Sequence, residues 1–127
     1  MDGFGSVPAE EEVLHIVTHF NDMLNAHSVD GMLRFLTDDC VFENTFPAPD
    51  GTRYEGLAAV RAFWDEFFQV DQDQSIAIEE IFVMGDRCVM RWIYRWNDGG
   101  IVGHVRGVDL YTIRDGRISE KLSYVKG

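Results

Sequence analysis

One carboxylate lies where a charged side chain is unusual, in the middle of an alternating apolar segment. Small or apolar residues take every second position around Asp109, namely Val105, Gly107, Tyr111 and Ile113. Because successive side chains of a strand point to opposite faces, Asp109 is predicted to face the interior. Loss of water there would favour the neutral acid, which can donate or accept a proton. The alternative is a structural ion pair of Asp109 with Lys121 or Arg106.

A second group of residues forms an aromatic stripe on one predicted strand. Trp92, Tyr94 and Trp96 alternate there with Arg91, Ile93 and Arg95. The aromatic face is suited to stacking against a flat ligand, with Trp92 as an apolar wall and Tyr94 orienting a carbonyl group. Packing against a helix is the alternative, and it is favoured for Trp96. We expect the arginines on the outer face.

Two polar residues are candidates for the mouth of a pocket. Asn44 and Glu43 are neighbours on the first predicted strand, so only one of them is expected to point inward. We assign Asn44 to the inside, where its amide can orient a ligand carbonyl or a water molecule. Tyr54, on a short hairpin, either closes the mouth or lies exposed to solvent.

No metal or organic cofactor is predicted. His15 and His19 have the i, i+4 spacing of a metal pair, but they lie opposite the apolar face of their helix and no HExxH pattern follows. His104 is placed on the outer side of its strand. Cys40 and Cys88 lie apart in apolar segments, which indicates buried, reduced thiols.

Periodicity predicts three helices followed by a sheet. Apolar residues at helical spacing predict a helix starting at Pro8, a short helix after Ser28 with Leu36 on its inner face, and a third helix after Gly56. Alternation predicts strands over residues 40–44, 52–55, 76–84, 87–96, 101–113 and 117–126. The predicted class is α+β: a cone-shaped, curved, mostly antiparallel sheet of about six strands with three helices on its concave face. The open end of such a cone is a natural pocket.

Length and charge narrow the possible functions. The 127 residues suit a single domain, with residues 1–7 as a flexible leader. The net charge of −11 repels phosphate backbones and anionic membranes, so neither nucleic acid nor a membrane is an expected partner. The start of the chain lacks the basic and apolar regions of a signal peptide, which predicts a cytoplasmic protein.

Two segments resemble a known superfamily. Residues 106–118, RGVDLYTIRDGRI, look like the penultimate hairpin of SnoaL-like polyketide cyclases, and residues 56–64, GLAAVRAFW, look like their third helix. The order of elements is similar to the nuclear transport factor 2-like fold over nearly the whole chain. The resemblance implies this fold, in its SnoaL-like polyketide cyclase and ketosteroid isomerase-like branch.

The resemblance also allows residues to be compared one at a time. Asp109 matches a protonated aspartic acid that donates to the substrate oxyanion in ketosteroid isomerases. Their general base matches Asn44 and their oxyanion tyrosine matches Phe20, neither of which can do the same chemistry. The Asp–Arg–Asp set of the epoxide hydrolases of this fold falls on Trp92, Tyr94 and Ser123, and the acid–base aspartate of the polyketide cyclases also falls near Ser123. No known catalytic set is retained whole.

Two functions stay open at this point. The first is cofactor-independent proton transfer, of isomerase or cyclase type, on a small apolar carbonyl or polyketide-like substrate; the second is a non-catalytic hydrophobic ligand-binding or dimerisation module. The predicted catalytic residues are Asp109, Asn44 and Tyr94. The predicted substrate-binding residues are Phe20, Trp92, Tyr111, Tyr54, Phe63, Lys121 and Ser123. A homodimer through the outer face of the long sheet is also expected.

Overall fold

Three helices precede most of the sheet. The computed structural model describes residues 9–70 and 74–127, and the predicted leader and Pro8 lie outside this part. The first turn of the first helix carries three glutamates, which favour the positive end of the helix dipole. Ser28 caps the second helix as predicted, because its Oγ accepts a hydrogen bond from the Gly31 N–H at 3.1 Å. The helices are α1 (Glu10–Asn25), α2 (Val29–Leu33) and α3 (Leu57–Val70).

Six strands form one open, mixed sheet. The strands are β1 (Leu36–Glu43), β2 (Arg53–Glu55), β3 (Ser75–Met84), β4 (Arg87–Asp98), β5 (Ile101–Arg114) and β6 (Arg117–Val125). They lie in the order β2-β1-β6-β5-β4-β3, and β1 runs parallel to β6 while all other neighbours are antiparallel. The predicted α+β class, strand number and mostly antiparallel pairing are confirmed.

The boundary between α2 and β1 differs from the prediction. Leu36 was expected on the inner face of the second helix, but it is the first residue of β1 and pairs with Ile118. Hydrogen bonding to β6 begins at the residue before β1, because the Ile118 N–H donates to the Phe35 carbonyl at 2.6 Å. Leu36 is therefore buried, as its apolar character requires, but by a strand rather than a helix.

Two asparagines of α1 hold the start of the edge strand β3. Asn25 donates to the Ile76 carbonyl at 2.8 Å and accepts from the Ile76 N–H at 2.9 Å. Asn21 adds a second donor to the same carbonyl at 3.2 Å. The two helical side chains thus satisfy backbone groups that have no neighbouring strand on that side.

The core lies between α1 and the inner face of the sheet. Val13, Val17 and Phe20 of α1 are fully buried. Cys40 and Cys88 are both free and buried, as predicted. His15 and His19 are exposed on the opposite side of α1. No helix in the described ranges is long and apolar enough to cross a membrane.

Candidate functional site

A cavity of about 350 Å³ lies between α3 and the inner face of the sheet. Eight of its fifteen lining residues are aromatic, and they come from α3, β1, β2, β4 and the segment after β1. Such walls favour a flat, largely apolar ligand. Of the six polar lining residues, Asp109, Lys121 and Ser123 come from β5 and β6, and Glu43, Asn44 and Thr45 lie at or just after the end of β1.

Most of the predicted site residues line this cavity. Eight of the ten are brought together there: Asn44, Tyr54, Phe63, Trp92, Tyr94, Asp109, Lys121 and Ser123. Glu43 also contributes to the lining, but its carboxylate pairs with Arg53, its cross-strand partner, at 2.9 Å, and Arg53 does not line the cavity.

Phe20 and Tyr111 do not line the cavity. Both are buried in the core, where their rings meet edge to face with centroids 6.4 Å apart. The prediction placed both residues on the correct face of their elements. They lie, however, in the part of the molecule where α1 packs directly on the sheet, and this part is core rather than cavity. Tyr111 still reaches the site indirectly, because its hydroxyl donates to Asp109 Oδ2 at 3.3 Å.

Asp109 and Lys121 form an ion pair beside the aromatic walls. Lys121 Nζ lies 3.5 Å from Asp109 Oδ2 and donates to Ser123 Oγ at 3.1 Å. The residues are only 4% and 8% exposed, respectively, so both charges are largely removed from water. Of the two arrangements that the sequence leaves open, the geometry matches the ion pair. Arg106, the other possible partner, is exposed and pairs with Glu79 at 3.1 Å.

The surroundings of this pair are apolar and incompletely hydrogen-bonded. Lys121 Nζ lies 5.3 Å from the ring centroid of Phe42 and 5.8 Å from that of Trp64, within the range of cation–π attraction. Asp109 Oδ1 is buried without a hydrogen-bond partner. A carboxylate oxygen in this state can still accept a proton or a hydrogen bond from a ligand.

Burial keeps the neighbouring acids of the inner face protonated. The pKa of Tyr111 is raised well above its ordinary value, first by burial and then by the negative charge of Asp109. Burial raises the pKa of the Cys88 thiol to about 11, and Asp109 adds to the shift. Tyr111 therefore acts as a hydrogen-bond donor to Asp109, and Cys88 is not a thiolate nucleophile at neutral pH.

Two tryptophans of the cavity wall have indole N–H groups without a hydrogen-bond partner. The Nε1 atoms of Trp64 and Trp92 are buried without a partner, and both residues line the cavity. Sequence reasoning placed Trp64 only on the buried face of its helix. The spacing of Phe63, Trp64 and Phe67 could have identified it, because these neighbours on α3 all face the same space.

Asn44 organises the mouth of the cavity. Its Oδ1 accepts hydrogen bonds from the backbone N–H groups of Thr52, at 2.7 Å, and Phe46, at 3.3 Å. The carbonyl end of this amide therefore holds the segment between β1 and β2 in place. Only the NH₂ end remains for the ligand contact that was predicted. The rings of Tyr54 and Phe63 lie beside it with centroids 4.9 Å apart, so Tyr54 packs at the mouth.

Comparison with known proteins agrees with this geometry. The SnoaL-like domain family matches residues 17–121, and the chain belongs to this family. An NTF2-like protein of unknown function from Mesorhizobium loti has a similar structure, with 37% identity and a TM-score of 0.81, over 94% of this chain and 97% of that one. No protein of curated function matches the sequence.

Two other solved structures share this fold. RV0760c from Mycobacterium tuberculosis, in complex with estradiol-17beta-hemisuccinate, is 26% identical with a TM-score of 0.76, over 89% of this chain and 92% of that one. A candidate SnoaL-like polyketide cyclase from Jannaschia sp. CCS1 is 19% identical with a TM-score of 0.78, over 94% and 88% of the two chains. The predicted superfamily and fold are confirmed.

Proposed function

We propose that the protein catalyses cofactor-independent proton transfer, of isomerase or cyclase type, on a small apolar carbonyl or polyketide-like compound. The observation that carries this proposal is the buried Asp109–Lys121 pair in a cavity with largely aromatic walls. A carboxylate beside an ammonium group can accept a proton from the carbon next to a carbonyl. The ammonium group can then stabilise the negative charge that develops on the carbonyl oxygen.

The other lining residues have supporting roles in this proposal. Trp92 and Phe63 form apolar walls, and Tyr94 and the free NH₂ group of Asn44 orient the carbonyl group. The partly accessible Ser123 holds the ammonium of Lys121. The steroid ester bound by RV0760c supports a flat, mainly apolar ligand of this kind.

A non-catalytic binding module is the second candidate. The observation that favours it is at Asn44, whose amide cannot act as a general base and whose carbonyl oxygen already accepts hydrogen bonds from the backbone of Thr52 and Phe46. In this version the ion pair only anchors the polar end of a hydrophobic metabolite. We place either function in a reducing compartment such as the cytoplasm, an assignment that the two free, buried cysteines support.

Hydrogen–deuterium exchange distinguishes the two candidates without knowledge of the natural substrate. Apolar ketones, first among them any compound found with the purified protein by native mass spectrometry, are incubated with the protein in heavy water. Proton transfer predicts exchange at the carbon next to the carbonyl about 10²–10⁴-fold faster than in buffer. A ketone that binds without faster exchange would leave only the binding module.

The matched variants are Asp109→Asn and Asp115→Asn. Asp115 lies exposed in the β5–β6 turn with φ of 54°, a conformation that asparagine adopts readily, so this control should exchange like the wild type. The Asp109→Asn protein should no longer accelerate deuterium exchange. As long as this variant is folded, it should still bind the ketone. Equal exchange by both variants would remove Asp109 from the mechanism.

A further inference from the structure

We propose that Lys121 is a nucleophile that forms an imine with a ketone or aldehyde in the cavity. The inference rests on the proposed function in one respect, that a carbonyl compound enters this cavity. It adds a covalent step, and it predicts a lysine adduct that proton transfer by Asp109 alone would not produce. The ligand class becomes an aromatic or otherwise apolar ketone or aldehyde whose carbonyl group reaches β6.

The choice of lysine at this position carries the inference. The chain contains nine arginines but only two lysines, Lys121 and Lys126. Arginine would make a better bidentate partner for Asp109 and would remain protonated. Lysine can give up a proton and attack carbon. The remaining ion pairs in the described ranges all use arginines, namely Arg53, Arg61, Arg91, Arg106 and Arg114.

The position of the Lys121 amine suits nucleophilic attack. The side chain is 10% exposed and lines the cavity, with Nζ near the rings of Phe42 and Trp64. Asp109 Oδ2, 3.5 Å away, is a nearby acceptor for the proton that the ammonium group must release.

The step is balanced by one proton that shuttles between the two residues. Nζ transfers a proton to Asp109, and its lone pair then attacks the carbonyl carbon while the C=O electrons move to oxygen. A proton moves from nitrogen to that oxygen, which gives the carbinolamine. Asp109 returns its proton to the hydroxyl group, which leaves as water as the C=N bond forms. The products are a protonated imine on Lys121, one water molecule and the Asp109 carboxylate.

The imine also connects with the proposed chemistry. A protonated imine withdraws electrons from the adjacent carbon more strongly than a ketone does, so the neighbouring C–H becomes more acidic. The restored Asp109 carboxylate lies beside it and can remove that proton. Covalent capture and proton transfer would thus use the same two residues in sequence.

Reductive trapping tests the proposal directly. The wild-type protein is incubated with benzylacetone, an aromatic ketone, and sodium cyanoborohydride, which reduces protonated imines to stable amines. Peptide mass mapping then compares the two lysines. Because binding raises the local concentration of the ketone, modification of Lys121 should exceed that of exposed Lys126 by at least about tenfold. Equal modification of both lysines, or none, overturns the proposal.

Variants and a second ligand separate this proposal from the proposed function. Lys121→Arg keeps the positive charge and should abolish the adduct, whereas Lys126→Arg should retain it. If Lys121→Arg fails to fold, the comparison of the two lysines in the wild type still decides. The corresponding alcohol of benzylacetone, which cannot form an imine, should bind and slow the trapping. Catalysed deuterium exchange without trapping would reject the imine alone, and absence of ketone binding would reject both proposals.

Discussion

The indole ring of Trp92 lies directly over Gly107, its cross-strand partner on β5, where a Cβ atom would collide with the ring. Four residues along each strand the arrangement repeats, with Trp96 over Gly103. The missing side chains leave room for the large rings on the inner face. Because Trp92 lines the cavity and Trp96 does not, only the first pair determines the shape of the site.

Alanine substitutions at the two glycines should therefore differ in effect. A methyl group at Gly107 would also meet the backbone carbonyl of Tyr124, which cannot move easily, so Gly107→Ala should lower the unfolding free energy by about 1–3 kcal/mol and weaken ketone binding. At Gly103 only the partly exposed ring of Trp96 must move. Gly103→Ala should stay within about 1 kcal/mol of the wild type in urea titrations. Similar losses for both variants would contradict this view of Gly107.

Breaking the buried ion pair should cost more stability than replacing it. Asp109→Asn leaves the ammonium group of Lys121 without its counter-charge and should lower the unfolding free energy by about 3–5 kcal/mol. The double variant Asp109→Asn with Lys121→Met removes both charges and should recover much of that loss. A double-mutant cycle from urea titrations at neutral pH measures the coupling. Additive effects of the two single changes would mean that the pair is not energetically coupled.

The two thiols should be inert in the native state. Burial raises the pKa of Cys40 and Cys88 from 9.0 to about 11, so almost no thiolate exists at pH 8. Ellman's reagent should react with both thiols only after denaturation, and rapid reaction of the folded protein would contradict their burial.

The same shifts predict a loss of stability in alkali. Between pH 9 and about 11 the unfolded chain loses thiol protons that the folded protein retains, so the contribution of both thiols is fully present below pH 9 and disappears as pH rises through this range. The double variant Cys40→Ala and Cys88→Ala should lose less stability over that interval in urea titrations. An identical pH dependence in the variant would assign the loss to other groups.

We predict that the protein is a homodimer through the outer face of the sheet, which includes Val89, Val102 and Leu110. Ile93 was also expected to be exposed on this face, but it is only 3% exposed and cannot contribute much to a contact. Val102 is 72% exposed on β5, so Val102→Glu should weaken the dimer by placing a charge in the contact. Val70→Glu is the matched control, because Val70 is 82% exposed at the end of α3, on the other side of the sheet. Sedimentation at concentrations of tens of micromolar measures both, and a monomeric wild type would remove the prediction.

Local patterns predicted the faces of the elements well but not their depth or their partners. The alternation around Asp109 and Tyr111 correctly put both on the inner face. It does not show how far along the strand α1 packs on the sheet, so Tyr111 was assigned to the cavity instead of the core. The parallel pairing of β1 with β6 joins segments far apart in sequence. Such pairing depends on tertiary packing, which periodicity in one strand does not encode.

The charges of the site were the least predictable feature. The sequence identified Asp109 and Lys121 as possible partners, but their side chains meet diagonally across two strands: Asp109 is directly opposite Ser123, and Lys121 is opposite Tyr111. Whether two long side chains meet across such a diagonal depends on the residues packed around them, which here are Phe42 and Trp64. Asn44 was likewise found by position, but the hydrogen bonds that its carbonyl oxygen accepts could not be predicted, because the backbone donors belong to an irregular segment.

The asparagines that hold Ile76 have a consequence for the behaviour of the protein at high concentration. β3 is an edge strand, and unpaired N–H and C=O groups on an edge invite strands from other molecules to add and begin aggregation. Asn25 offers one donor and one acceptor to Ile76 just as an added strand would, and thereby blocks the first rung of such a ladder. The bulge between Ile78 and Glu80 then disturbs the regular spacing that an incoming strand would need. A helix thus provides this sheet edge with protection against intermolecular strand exchange.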